Sequence, residues 1–279
     1  MRVARWSPFD AELPPPERDI AQLMVTTDGQ HGFETPAAAQ RERLRRIATL
    51  RQSPDPRALI VADRLASCDR DARCLSPACS FCVGRTRIWI YGEIARLWSL
   101  RGSTAAADLH LITLVREDWT RSKSALRDFA PQVLIDRVRH QFLRAGITSV
   151  TVLGAVHGEF DEKREYWQPH LHLVANGMRQ AHLDLLRQRH YRRSVHVYRP
   201  MVIQPVTDPT RQLSYLLKSY WPMRIRYLDA FDEEKSTFRR IPEPYHTQYL
   251  IKLDQFNLLD FILLIGVRRY GHTLRRVLR

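Results

Sequence analysis

The sequence predicts an α+β fold: a small antiparallel sheet in the split β-α-β-β-α-β arrangement, with helices on one face. An N-terminal cysteine element and a C-terminal helix flank it. Three observations predict this. Strand-like and helix-like apolar patterns alternate along residues 109–220. All four cysteines fall within residues 68–82, ahead of that alternation. The most apolar run, residues 256–267, follows it; interrupted by Asp260, it falls short of the about 20 apolar residues of a membrane span and reads as a buried or docking helix.

The elements follow in order. Residues 1–35, with Pro14-Pro15-Pro16 and scattered charges, read as a poorly ordered lead-in. Good helix formers predict a helix over 37–51, and Ser53-Pro54-Asp55-Pro56 then breaks the chain. The cysteine cluster comes next, followed by a helix over about 85–100. Residues 109–115, Leu-His-Leu-Ile-Thr-Leu-Val, are a β-rich run and form the first strand. Leu126, Phe129, Leu134, Val138 and Phe142 recur at core spacing in a helix over 123–145, closed by Gly146. Strands over 148–160 and 167–175 follow, the latter ended by Asn176-Gly177. A helix over 181–192, a fourth strand over 195–206 and a helix over 210–220 complete the unit. The domain organisation expected is 1–55 as an N-terminal extension, poorly ordered or helical, 56–104 as the cysteine element with its helix, 105–225 as the sheet domain and 226–279 as a basic helical extension.

Charge narrows the partners. Forty-four Lys and Arg against 30 Asp and Glu give +14, with a pI near 10.1. Such an excess draws polyanions, which makes nucleic acid the first partner to consider. The opening Met1-Arg2-Val3-Ala4-Arg5-Trp6 leads into no apolar stretch, so a cytoplasmic chain with no membrane partner is expected.

His170 and His172 lie two apart in a strand, so both imidazoles project from one face, able to chelate one divalent metal. The neighbouring strand carries His157 and Glu159, again on one face, and either supplies a third ligand. Such a site suits Mn²⁺ or Mg²⁺ with open positions for phosphate oxygens. Farther along, Tyr215 and Lys218 are three apart in the expected helix and share a face. A phenol presented to a phosphodiester acts as a nucleophile, and a lysine beside it stabilises developing charge. Tyr220 lies about 140° around that helix from Tyr215, so the two serve different places.

The cysteines are spaced Cys68-x5-Cys74-x4-Cys79-x2-Cys82. Four thiolates in so short a stretch close a tetrahedral structural zinc site. Disulfides and a redox pair at Cys79 and Cys82 are the alternatives. Arg64, Arg70, Arg73, Arg85 and Arg87 surround the cluster and offer contacts to DNA phosphates.

Taken together, Leu111-Ile112-Thr113-Leu114-Val115, then Trp167-Gln168-Pro169-His170-Leu171-His172, then Tyr215-x-x-Lys218 about 45 residues later, resemble the HUH endonuclease superfamily. More narrowly, they are similar to the single-tyrosine replication initiators (Rep proteins) of rolling-circle plasmids and filamentous phages. The resemblance covers about residues 65–221 and implies an RRM-like HUH domain. It implies His170 and His172 as metal ligands, Tyr215 as the nucleophile and Lys218 as its partner. It also implies nicking of single-stranded DNA at an origin or hairpin, leaving a 5′-phosphotyrosine and a free 3′-hydroxyl, then rejoining. The family usually has Glu where His157 stands, with Glu159 close by as a substitute. Similar cysteine groups precede the catalytic motifs in some initiators and related transposases. The alternatives are an HUH transposase and a zinc-containing DNA-binding protein that no longer cuts. The basic tail with Arg268, Arg269, Arg275, Arg276 and Arg279 offers a grip for DNA or a host replication protein.

Overall fold

A computed structural model describes residues 24–25, 32–69, 72–98, 108–218, 220–228 and 231–277. Three helices come first: α1 (Pro36–Arg51), α2 (Pro56–Ala66) and α3 (Ser80–Leu97). The sheet unit follows as β1 (Leu109–Val115), α4 (Pro131–Arg144), β2 (Thr151–Asp161), β3 (Tyr166–Asn176), α5 (Gln180–His190) and β4 (Met201–Pro205), then a short α6 (Pro209–Ser214). After it come β5 (Met223–Leu228), β6 (Glu234–Arg239), α7 (Tyr245–Asp254), β7 (Ile262–Ile265) and a hairpin of β8 (Val267–Tyr270) with β9 (Thr273–Arg276).

The fold is α+β, and the expected β-α-β-β-α-β order is present. Its strands lie side by side as β4-β1-β3-β2, every neighbouring pair antiparallel. The sheet is larger than expected and mixed, with eight strands among the described residues. β5 joins the end of β2 in parallel at Phe160 and Asp161 and carries β6 on its outer edge. β7 pairs with β2 across Val152 to Ala155. Arg121–Ser122 pairs with β3.

Helices were expected on one face only; both faces are covered. Val138, Phe142, Leu183 and Leu186 of α4 and α5 share a core with Leu171, Leu173 and Ile112 of the sheet. On the other face, Leu111, Leu153 and Val174 cluster with Ile90 and Ile94 of α3, Leu213 beside them, and Val267 and Leu274 of the C-terminal hairpin. Only the part of this second face that carries the histidines is left for a cleft.

Local chemistry explains the displaced boundaries. The helix expected over 123–145 is two elements, a 3-10 turn at Lys123–Asp128 and α4, because Pro131 forces Ala130 into extended geometry (φ −138°, ψ 116°) and then starts a helix itself. Asp55-Pro56, read as a break, is the start of α2: the Asp55 carboxylate caps Arg57 N and proline takes the first helical position. The helix expected over 210–220 is six residues of α6 plus a 3-10 turn, Tyr215–Leu217, and at Lys218 the chain turns extended (φ −56°, ψ 139°). Tyr220 is therefore not on that helix. The fourth strand shrinks to β4. The apolar run 256–267 contains no α-helix, since its centre pairs with β2 as β7 and Gly266 then takes a left-handed turn (φ +65°). A short continuous apolar run has no period to distinguish the two. The basic tail is likewise a hairpin with Arg268, Arg269, Arg275 and Arg276 exposed, and Arg279 lies outside the described residues. Most of the expected lead-in lies outside them too. Among the described residues no helix is long and apolar enough to cross a membrane.

A buried ion network ties the N-terminal helices to the C-terminal part. Glu42 of α1 accepts two bonds from Arg240 (2.8 and 2.7 Å) and one from the buried Arg46 (2.9 Å). Burial alone raises the Glu42 carboxyl, but its bonds and attraction to Arg240 and Arg46 outweigh this and hold it at about 2. A depressed carboxyl stabilises the fold above its unfolded value of 4.5 and loses that contribution as pH falls toward 2. Glu42→Gln is expected to lower stability at pH 7 by about 2–3 kcal/mol, with the gap to the parent closing between pH 5 and pH 2. Urea unfolding at stepped pH checks this; a constant gap contradicts it.

Candidate metal and tyrosine cleft

The sheet register builds the site. β3 lies between β2 and β1, so His170 stands opposite His157 and Val115, and His172 opposite Ala155 and Thr113. Alternation along the strands puts His157, Glu159, Gln168, His170, His172 and Thr113 on one face. One ring nitrogen from each of His157, His170 and His172 lies within 4.8 Å of the others. Ring centroids are 4.8 Å apart for His170 and His172, 4.9 Å for His157 and His172, and 6.0 Å for His157 and His170.

Each imidazole is oriented by a partner on one nitrogen. His170 Nδ1 donates to Gln168 O at 3.1 Å. Gln168 is itself pinned, donating to Arg116 O (3.0 Å) and accepting from Thr120 Oγ1 (3.0 Å). His172 Nδ1 bonds Thr113 Oγ1 at 2.9 Å. His157 Nε2 sits 2.7 Å from Leu216 O and 3.2 Å from Lys218 N. A carbonyl carries no proton, so the shorter contact requires Nε2–H to donate and leaves the Nδ1 lone pair for other use. His172 Nε2 is buried and without a hydrogen-bond partner. A carbonyl or hydroxyl on the far nitrogen is how metal-ligating histidines are held, and a buried orphan nitrogen fits a group that only an ion satisfies.

Electrostatics agree. Burial first, then the charges of His170 and Lys218, hold His157 well below the usual imidazole range, and His172 likewise through burial, His170 and His157. Burial also lowers His170, opposed by Glu159. Neutral imidazole is the ligating form. Glu159 lies outside the cluster, with both its oxygens held by Arg224 at 2.6 and 2.7 Å.

The tyrosine segment reaches the histidines without a long helix. Leu216 O and Lys218 N bracket His157, and Trp221 N donates to Tyr249 Oη at 3.0 Å. On the other side, Arg87 of α3 donates to Ser214 O, Gly32 N donates to Ser214 Oγ (2.9 Å), and Tyr91 Oη bonds Thr210 Oγ1 (2.8 Å). Gly158, beside His157, lets this happen: a Cβ there would stand 2.4 Å from the Trp221 ring. The Tyr215 ring packs edge-on to His172, centroids 5.0 Å apart, and Lys218 Nζ sits 3.7 Å over its centre. Burial and then Glu159 raise the Tyr215 phenol, while burial lowers Lys218 to about 8. His157, His170, His172, Tyr215, Lys218 and Arg224 line one cleft of about 440 Å³, walled by Phe238.

Family models, curated proteins and solved structures were compared with the chain, and none matches. What the site does is therefore argued from its geometry and from the motif order.

The four cysteines form a second cluster. Sγ atoms are 3.6 Å apart for Cys68 and Cys82, 3.7 Å for Cys74 and Cys82, and 3.9 Å for Cys79 and Cys68. Four thiolates about 2.3 Å from one tetrahedral centre stand about 3.8 Å apart, whereas a disulfide needs about 2.05 Å. The cluster is compatible with structural zinc. It starts α3, the helix that carries Arg87 and Tyr91 to the tyrosine segment.

Thr113, Gln168, Arg224 and Arg87 are the site residues whose roles sequence reasoning missed. Thr113 was legible as the polar interruption of an apolar strand, two strand faces from nothing else to bond. Arg224 and Arg87 carried no signal, since their partners Glu159 and Ser214 are 65 and 127 positions away.

Proposed function

We propose that the chain is a metal-dependent, single-tyrosine DNA nickase of the HUH type, acting as a replication initiator. One observation carries this: a nucleophile-grade phenol and a cluster of three neutral imidazoles share one cationic cleft. The β4-β1-β3-β2 order with His-x-His on a central strand supports the HUH reading. His157, rather than Glu159, is the third ligand in this proposal, because Glu159 is occupied by Arg224. Three nitrogens and no carboxylate favour Mn²⁺ over Mg²⁺. A divalent ion there supplies charge stabilisation at a phosphate oxygen.

The chain's own residues do the rest. Arg224 and Lys218 draw the backbone of a single strand into the cleft. The 215–221 segment, braced at His157 and Tyr249, holds the phenol beside His172. Its oxygen forms a bond to phosphorus, the bond to the 3′ oxygen breaks, the phenol proton passes to water and the leaving oxygen takes one up. The Lys218 ammonium over the ring stabilises negative charge as it builds on the phenol. The product is a 5′-phosphotyrosine, which a 3′-hydroxyl reverses. The four cysteines hold structural zinc that fixes α3. The alternative of a chain that binds DNA without cutting rests on a missing third ligand, and the placement of His157 argues against it.

The test is incubation of the purified chain with a randomised single-stranded DNA library and Mn²⁺, followed by denaturing electrophoresis. A covalent adduct that disappears in Tyr215→Phe is expected. No adduct from the parent chain, or an adduct that survives Tyr215→Phe, sinks the proposal.

A further inference from the structure

A second cavity, about 660 Å³ and sharing no lining residue with the histidine cleft, opens between α1 and α3 beside the cysteine cluster. Arg43, Arg73 and Arg85 line it together with Phe81, Gly84 and Asp69. Arg73 lies over the Phe81 ring, 4.4 Å from its centre. Arg43 donates to Cys68 O, and its Nε is buried without a hydrogen-bond partner among the described residues. Glu34, also at the rim, is neutralised by Arg87. Three guanidiniums thus face Asp69 alone, and Arg73 is near enough to Arg85 to disfavour its charge, after burial. Such a concentration of like charge in a concave site is stabilised by an anion.

The cavity also has a floor made for a flat group. Gly84 lies mid-turn in α3, where glycine costs a helix about 1 kcal/mol relative to alanine. A Cβ there meets nothing within 4 Å, so no backbone reason keeps a side chain out. Its absence keeps the space above Phe81 open. Of the five arginines around the cysteines, Arg87 is turned inward to Glu34 and Ser214, Arg64 bonds Asp254, and Arg70 lies outside the described residues. Arg73 and Arg85 are the two that reach this cavity.

We infer that this cavity binds one nucleoside phosphate unit, its phosphate among Arg43, Arg73 and Arg85 and its base stacked at Phe81, as a nucleotide of a strand whose scissile part lies in the histidine cleft. The volume is in the range of small-ligand sites, and a base stacked on an aromatic ring and an Arg plane is a common mode of single-strand capture. The inference rests on the chain being a nucleic-acid binder but concerns a separate place. The link between the two places is short: Glu34 on this rim pairs with Arg87, which holds Ser214, the neighbour of Tyr215.

The experiment uses the full chain carrying Tyr215→Phe, with no added divalent ion. Anisotropy of a labelled single-stranded oligonucleotide is measured for the parent, for Arg85→Gln, and for Gly84→Leu, which fills the cavity with a better helix former. Zinc per chain is measured alongside to verify an intact cysteine cluster. Expected are a loss of about tenfold or more in affinity for both variants, unchanged zinc, and photocrosslinking of 5-iodouracil-substituted DNA to Phe81. Deoxyadenosine triphosphate is the second probe. If it shifts the melting temperature of the parent but not of Gly84→Leu while oligonucleotide affinity is unchanged, the ligand chemistry holds and its source is a free nucleotide. Parent-like binding of both probes by both variants overturns the inference and leaves the nickase proposal standing. A parent chain that binds no oligonucleotide sinks the strand reading of both, and the triphosphate arm alone then decides the cavity.

Discussion

His172→Ala is expected to abolish covalent adduct formation, by at least about 10²–10³-fold, the size of losing one preorganised electrostatic contact at a reacting group. His172 is the centre of the constellation. It is the only ring within 5.0 Å of both other imidazoles and of Tyr215, by centroid. Its removal takes away a ligand and the packing partner that orients the phenol, so Mn²⁺ does not rescue it. The Thr113→Val chain separates the two roles. It keeps every ligand but leaves His172 Nδ1 without its 2.9 Å partner, and a loss of about 10–100-fold in metal affinity is expected for such an orienting group. Gel assays of adduct formation against metal concentration measure both; parent-like activity in His172→Ala contradicts the site.

Cys82→Ala is expected to be the most destabilising single change. Cys82 is fully buried, and its sulfur approaches both Cys68 and Cys74. The binding energy of structural zinc is folding energy, and a loss of several kcal/mol in a chain of this size lowers Tm by about 10 °C or more. Zinc content by elemental analysis and a thermal melt check this. The damage extends beyond the cluster: α3 begins at the cysteines and ends its reach at Ser214 and Thr210 through Arg87 and Tyr91. Adduct formation is expected to fall in parallel with zinc content. A zinc-free variant with parent stability contradicts the structural role.

Particular residues mark how much was legible in the sequence. The phase of His170 and His172 follows from strand alternation, and the four-cysteine spacing from thiolate chemistry; both depend on neighbours in the chain. So does the β-α-β-β-α-β order, set by apolar period. The choice between His157 and Glu159 depended on Arg224, which reaches Glu159 only because β5 lies in parallel beside β2. No local pattern encodes that pairing. The tyrosine segment shows the same limit. Its propensity reads as a helix through residue 220, but bonds from His157 and Tyr249 hold residues 216–221 in another path. Tertiary contacts overrode propensity there, as they did for β7, where pairing with β2 decided a run with no period of its own. Two misreadings were avoidable. Asp55-Pro56 and Ala130-Pro131 are helix starts by capping and proline chemistry alone.

The central claim is that three imidazoles, His157 among them, hold a divalent ion beside Tyr215. Electron paramagnetic resonance of Mn²⁺ titrated into the zinc-loaded chain tests it most directly, because bound and free Mn²⁺ give separable signals. One Mn²⁺ per chain is expected in the parent and in Glu159→Gln, with nitrogen couplings from imidazole, and none in His157→Ala. Retention of the site in His157→Ala together with its loss in Glu159→Gln would contradict the account.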